Sequence, residues 1–147
     1  MKIRRAKTND LKWIHKMLNE NYEFRNEDKG EEEYPMLWVK GVIESKKGNI
    51  VLIMEENEEA IGFLIIHIIL GANDAIINNL YIKPEYRRKG FALSLLKEGE
   101  RIAKVMGCKF VAASINNRNK NSQKFFSISK YRKANQFIVY WKWLNKE

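Results

Sequence analysis

The chain has 147 residues, 27 Lys and Arg against 18 Asp and Glu, a formal net charge of +9, and 45% apolar content. That composition builds a packed core and excludes a disordered basic tail, and the length suits one domain, residues 1–147. The single cysteine, Cys108, excludes an internal disulfide and any multi-cysteine zinc site, and two separated histidines make no metal motif. The longest apolar run, Ala60 to Leu70, falls well short of the roughly 18 residues that span a bilayer. The start passes straight into an alternating segment without the apolar run of a leader, so the expectation is a cytoplasmic protein with no membrane partner. The positive charge fits nucleic acid, an anionic membrane surface, or a phosphorylated cofactor or substrate, and equally a merely Lys-rich surface.

Ile3 to Ala6 reads as a first strand. Thr8 is the expected N-cap of a helix carrying Leu11, Ile14, Leu18 and Tyr22 on one face. Residues 23–33 are polar and read as a loop. Tyr34, Leu37, Trp38 and Val42 mark a second helix beginning near Pro35. Ile50 to Met54 and Ala60 to Leu70, parted by the polar turn Glu55 to Glu59, predict a hairpin, and Ala75 to Ile82 a third strand stopped by Pro84. From Gly90 to Gly107 the period changes to that of a helix, with Ala92, Leu95, Leu96, Gly99, Ile102, Ala103 and Met106 on its apolar face. Lys109 to Ser114 follows as a strand, Ser122 to Ser129 as a short helix, and Tyr131 to Ala134 with Gln136 to Leu144 as a closing strand pair. Hairpins combined with strand–helix–strand crossovers predict an α/β domain, a mixed sheet with helices on both faces.

The chemistry concentrates in the stretch from Asn79 to Ala92, where a buried strand ends, a basic loop turns and a long helix begins. The first amides of a helix lack intrahelical partners and lie at its positive end. Gly90 lets backbone approach a ligand closely, and Arg87, Arg88 and Lys89 add charge at the same point. These features predict a phosphate or pyrophosphate site, with a solvated basic turn as the bland alternative. No GxGxxG or GxxxxGK[ST] pattern occurs, so dinucleotide and P-loop sites are not supported.

Arg87-Arg88-Lys89-Gly90-Phe91-Ala92 resembles the R/Q-x-x-G-x-G/A signature of the GNAT superfamily of acyl-CoA-dependent N-acetyltransferases. The approach Leu80 to Tyr86, the hairpin entering Ala60-Ile61-Gly62-Phe63, and the element order resemble that family along essentially the whole chain. The resemblance implies a mixed, mostly antiparallel sheet of six to seven strands, flanked by about four helices and splayed centrally at the CoA site. It implies acetyl-CoA as co-substrate, an amine acceptor and no metal. Backbone of Leu80, Tyr81 and Ile82 would pair with pantetheine. Amides from Arg88, Lys89, Gly90, Phe91 and Ala92 would hold the pyrophosphate, with Arg87 opening the motif. The Ile82 amide would polarise the thioester carbonyl. No covalent enzyme intermediate is then required, and Cys108 reads as a structural thiol.

Asn119 and Ser122 fit the family spacing that follows, and Tyr131 stands at the place of a phenylalanine. Phe126 occupies the place of the tyrosine that protonates the departing thiolate in many members, and a phenyl ring donates no proton. Phe126 is expected to pack against the cofactor instead. Asn78 and Asn79 stand where Glu is frequent, and Ser114 where some members carry a glutamate. Ordered water, or Tyr22, Tyr34, Tyr81 or Tyr131, would have to move the proton. His67 is a candidate base, although a histidine inside an apolar strand is more often a core or sheet-face residue, and His15 reads as surface.

Residues 23–33 hold six acids and two bases, so their charge is −4 in a chain of +9, which suits a cationic acceptor or simply a solvated loop. Trp141 and Trp143 are read as packing on one sheet face or at a homodimer contact. Two other functions compete with transfer: a regulatory domain that binds acetyl-CoA without efficient turnover, suggested by Phe126, and a basic nucleic-acid module. The second is disfavoured because the basic residues line no single helix.

Overall fold

Two apolar runs form the centre of the sheet. The computed structural model describes residues 1–21, 34–136, 138–140, 142 and 144, and the chain divides into two compact units, Met1–Asn116 and Asn117–Glu147. The first unit opens with β1 (Lys2–Arg5), a 3-10 turn (Thr8–Asp10), α1 (Leu11–Glu20) and α2 (Met36–Glu44). The two apolar runs then form the hairpin β2 (Asn49–Glu56) and β3 (Glu59–Ile69), turned at Asn57 and Glu58, both left-handed (φ 51° and 63°). Two left-handed residues give a hairpin turn the twist of its strands. After β4 (Asp74–Ile82), α3 (Phe91–Val105) crosses over to β5 (Phe110–Ala113). The sheet order is β1-β2-β3-β4-β5, antiparallel except for the parallel β4–β5 pair.

Period-2 geometry divides the core between two faces. Val51, Ile53, Phe63, Ile65 and Tyr81 pack with Ile14 and Leu18 of α1 and with Val39, Val42 and Ile43 of α2. On the opposite face Leu64 and Ile66 lie so near α3 that a Cβ at Gly99 would fall 2.5 Å and 2.8 Å from their terminal methyls. β2 and β3 are therefore covered on both sides, which is why their sequences read as unbroken apolar runs. Leu37, one of the residues that mark this helix in the sequence, is exposed, and Val39, Val42 and Ile43 form the buried side of α2.

Asp10, rather than Thr8, organises the entry to α1. Its carboxylate accepts the Lys7 N–H (2.7 Å) and two Arg4 N–H groups (2.8 and 2.9 Å), while Arg4 Nε donates to Glu55 (2.6 Å). This ion triad ties β1, the 3-10 turn and β2 together.

In the second unit α4 (Lys120–Ile128) is capped by Asn119, whose side-chain oxygen accepts the Ser122 N–H at 3.1 Å. Phe126 is buried, with Phe125 and Tyr131 edge-on at 5.2 and 5.0 Å. The expected closing strands do not form among the described residues: 131–136, 138–140, 142 and 144 carry no ladder, so the described residues give a sheet of five strands where six to seven were expected. Alternation offers a strand two faces, but a strand needs a paired neighbour and a buried side, and Ile138, Val139 and Tyr140 are about four-fifths exposed or more (79, 81 and 89%). Phe137, Trp141 and Trp143 lie outside the described residues. No helix among the described residues is long and apolar enough to cross a membrane.

Candidate active site

β4 carries the irregularity that builds the site. Ile65 faces Asn79 and Ile66 faces Ile77, which leaves Asn78 as an extra residue, a β-bulge. One extra residue exchanges the faces of all that follows. Ile77 therefore shares the α3 side with Ile66, whereas Asn79 and Tyr81 point toward α1 and α2. Pairing with β5 ends at the same point, since Ile77 opposite Ala113 is the last register pair. From Asn79 to Ile82, β4 keeps a ladder partner only on its β3 side among the described residues.

The Lys83 N–H donates to the Ile61 carbonyl at 2.8 Å, which sets the alternation of the antiparallel ladder. Asn79 and Tyr81 turn their main-chain groups to β3, and Leu80 and Ile82 turn theirs to the opposite, open edge. Of the three residues expected to offer backbone there, Leu80 and Ile82 do so by this geometry. Tyr81 contributes a ring instead, grouped with Phe63 (5.7 Å) and Trp13 (6.4 Å).

Pro84–Tyr86 forms a 3-10 turn and hands the chain to the basic loop. Arg88 (φ 62°) and Gly90 (φ 82°) are both left-handed, which folds the loop tightly over the mouth of α3. For Arg88 that conformation costs about 1–2 kcal/mol, and strain of this kind gathers at functional loops. The Gly90 carbonyl accepts the Ser94 N–H (3.1 Å), so the amides of Phe91, Ala92 and Leu93 precede the helical ladder. A side chain at Gly90 would meet nothing within 4 Å, consistent with an open approach to these amides. Arg88 and Lys89 are exposed, the Lys89 ammonium lying 5.7 Å from the centre of the Tyr86 ring. Arg87 folds back onto β4, its Nε donating to the Ile82 carbonyl at 2.7 Å. Donors at the strand edge and helix mouth suit the carbonyls of a pantetheine arm and the oxygens of a diphosphate.

The proton-moving candidates are less favourably placed. Asn78 donates to the buried Asn79 side chain (2.5 Å), and neither carboxamide accepts a proton from an amine. His67 lies opposite Ile76, on the far side of the bulge from Tyr81 and Ile82. Its Nδ1 bonds Asn49 Oδ1 at 2.5 Å, Trp38 stands edge-on at 6.0 Å, and burial pushes its pKa below the usual histidine value. With the carboxamide oxygen accepting, the hydrogen sits on Nδ1 and Nε2 is left basic. Tyr34 is clamped by Asn19, whose Oδ1 accepts its N–H at 2.6 Å. Tyr22 and the acidic residues 23–33 lie outside the described residues. Among the described residues no three His, Cys, Asp or Glu side chains gather as metal ligands. Asn119 and Ser122 meet as cap and third residue of α4, which accounts physically for their three-residue spacing. The reading of the sequence missed Trp13 and Asn49. Counting back along the hairpin from Glu56 opposite Glu59 would set Asn49 across from Ile66; the one-residue register shift between Met54 and Glu55 brings it to His67, so composition gave no sign of that partner.

A model of the acetyltransferase (GNAT) family matches residues 12–129. An uncharacterized N-acetyltransferase of Bacillus subtilis, YhfO, is 27% identical over 147 residues, covering 95% of each chain. A transcriptional regulator from Bacillus halodurans is similar in structure at TM-score 0.77 and 19% identity, over 96% of this chain and 99% of that one. The aminoglycoside acetyltransferase AAC(6')-Iy, solved with a bisubstrate analogue of CoA and acetylneamine, gives 0.77 and 19% over 96% and 97%. The bulged β4, its open edge, the glycine-started α3 and the family match across most of the chain agree, and this chain belongs to the GNAT family of acetyltransferases.

Proposed function

We propose that the protein transfers the acetyl group of acetyl-CoA directly to a primary amine, working as a cytoplasmic enzyme. The observation that carries the reading is the juxtaposition of β4's open edge with the start of α3. Leu80 and Ile82 would receive the pantetheine arm, and the amides from Arg88 to Ala92 the diphosphate. CoA supplies the acyl group as a thioester. The Ile82 N–H would hold the carbonyl oxygen as negative charge develops on it. The amine nitrogen attacks the carbonyl carbon, the C–N bond forms and the C–S bond breaks, the nitrogen gives up one proton to solvent, and the departing thiolate takes one up. Positioning would supply up to about 7–11 kcal/mol, the worth of effective molarities for well-oriented reactants. The acidic composition of residues 23–33 supports a cationic acceptor, such as a polyamine, an aminoglycoside-like amine or a basic peptide.

A second reading, an acetyl-CoA-binding regulatory domain, is favoured by one observation, Phe126 at the signature's tyrosine. Thermal shift with CoA followed by acetyl transfer to a panel of amines separates the two. CoA at 100 times its Kd should stabilise the fold by about 2.7 kcal/mol, and Gly90→Asp should remove that gain by setting a carboxylate beside the phosphates. An unaltered shift in Gly90→Asp rejects the site, and a full shift without transfer to any amine selects the regulatory reading.

A further inference from the structure

Arg87 opens the signature, and by charge alone it would serve the diphosphate. Its side chain is engaged elsewhere. Nε donates to the Ile82 carbonyl at 2.7 Å, and the guanidinium carbon lies 5.6 Å from the centre of the Tyr81 ring. Both partners belong to the part of β4 beyond the bulge, where β5 no longer pairs. In an extended strand the N–H and C=O of one residue leave by the same edge. An uncovered Ile82 carbonyl would therefore set its lone pairs beside the place where the Ile82 N–H receives an oxygen, and like partial charges repel. A cationic donor on that carbonyl removes the repulsion and pins the strand end, because charge-assisted hydrogen bonds are about twice as strong as neutral ones. Tyr81, on which the guanidinium rests, is braced by Phe63 and Trp13, so the arrangement is anchored in the core.

We propose that Arg87 is a positioning residue. It holds the open edge of β4, and through it the Ile82 amide, and it does not grip the diphosphate. The proposal rests on the acetyl-transfer reading and deepens it.

The test compares wild type with Arg87→Gln and Arg87→Met, each checked for folding by its thermal midpoint. Gln keeps an N–H donor for Ile82 without the charge, and Met keeps neither. CoA affinity is measured by calorimetry, and the carbonyl polarisation by the 13C shift of acetyl-CoA labelled at that carbon. Arg87→Gln is expected to bind CoA with wild-type affinity, and Arg87→Met to bind it more weakly because the edge that receives the pantetheine arm is no longer pinned. The bound carbonyl should move downfield in wild type and in Arg87→Gln, and return toward its free value in Arg87→Met. Loss of about tenfold or more in CoA affinity in Arg87→Gln would make Arg87 a phosphate ligand and overturn the proposal, as would an undiminished shift in a folded Arg87→Met. If Arg87→Met does not fold, Arg87→Gln alone still decides between donor and charge. A wild type that fails to bind CoA sinks the acetyl-transfer reading itself, whereas a binding wild type with a weakened Arg87→Gln sinks only the role given to Arg87.

Discussion

Gly62 lies on β3 directly opposite Ile82, and it is where a single methyl group would do most harm. A Cβ there would stand 2.6 Å from the Tyr81 carbonyl oxygen and 2.5 Å from Ile82 Cδ1. The methyl of Ile82 can rotate away, but the Tyr81 carbonyl belongs to the ladder and must move with its strand. Ordinary contact begins near 3.4 Å, so Gly62→Ala displaces β4 by about 0.8 Å, in a core too dense to absorb it without cost. Overpacking of this kind costs about 1–3 kcal/mol, and alanine recovers about 0.4–1 kcal/mol by restricting the unfolded chain, leaving a net loss of about 1–2 kcal/mol. The displaced segment carries the Ile82 amide, and misplacement near 1 Å costs about 10²-fold in rate. Urea midpoints give the first quantity and kcat for acetyl transfer the second. Gly41→Ala is the control. Nothing lies within 4 Å of that position on the exposed side of α2, and the change should stabilise by about 0.5–1 kcal/mol. A Gly62→Ala protein as stable and as fast as wild type would refute the argument that β4 is held in place by this close approach.

Three further changes test other parts of the structure. Burial alone would raise the Asp10 carboxyl, but the hydrogen bonds from Arg4 and from the Lys7 amide outweigh it and hold the pKa below the usual value. Its stabilising contribution is thus complete above an unfolded-chain pKa of about 3.9 and is lost as pH falls through the lower folded value. Asp10→Asn should cost about 1–3 kcal/mol at pH 7 and flatten the acid limb of a stability profile, and parallel limbs would contradict the triad's role. His67 also has a lowered pKa, but here because burial disfavours the charged imidazolium. The unfolded chain takes its proton first as pH drops below about 6.5, so stability should decline from there toward acid, and His67→Gln should remove that slope in thermal midpoints taken from pH 8 to pH 5. Phe126→Tyr returns a proton donor to the signature, and since general acids contribute about 10²–10⁴-fold, kcat should rise at least tenfold. Unchanged turnover in a folded Phe126→Tyr would mean that protonation does not run through this position.

The fold was legible wherever one periodicity ruled a segment. The hairpin, β4 ending at Ile82, and α3 between Gly90 and Gly107 could be read because apolar spacing, turn residues and helix punctuation agreed there. The bulge at Asn78 was hidden, since a one-residue slip leaves no mark in composition and shows only when β3 and β4 are set in register. The closing strands failed for the converse reason: Ile138, Val139 and Tyr140 carry strand-like residues, yet nothing among the described residues pairs with them. At the site, Gly90 and the helix mouth were readable from chemistry alone. The return of Arg87 onto its own strand was not, because a run of three cations looks the same whichever way each side chain turns.

If the proposed acetyl transfer holds, the bulge explains how an amide-lined site would dispense with a strong acid and base. By inserting Asn78 it frees the edge at Leu80 and Ile82, turns Tyr81 toward α1, and sets the Ile82 carbonyl within reach of Arg87. All of these consequences concern orientation, which is worth more than either proton-transfer group alone. Losing either a general acid or a general base forfeits about 10²–10⁴-fold, or roughly 3–5 kcal/mol, whereas correct placement is worth about 7–11 kcal/mol. Asn78 and Asn79, which cannot exchange protons with an amine, are therefore tolerable at this point of β4 so long as the strand edge stays rigid. The rigidity comes from Gly62 below, where β3 approaches without a side chain, and from Arg87 at the end, where a cation covers the last carbonyl. An acetyltransferase that works in this way would lose more from small shifts of this strand than from the loss of any one titratable group.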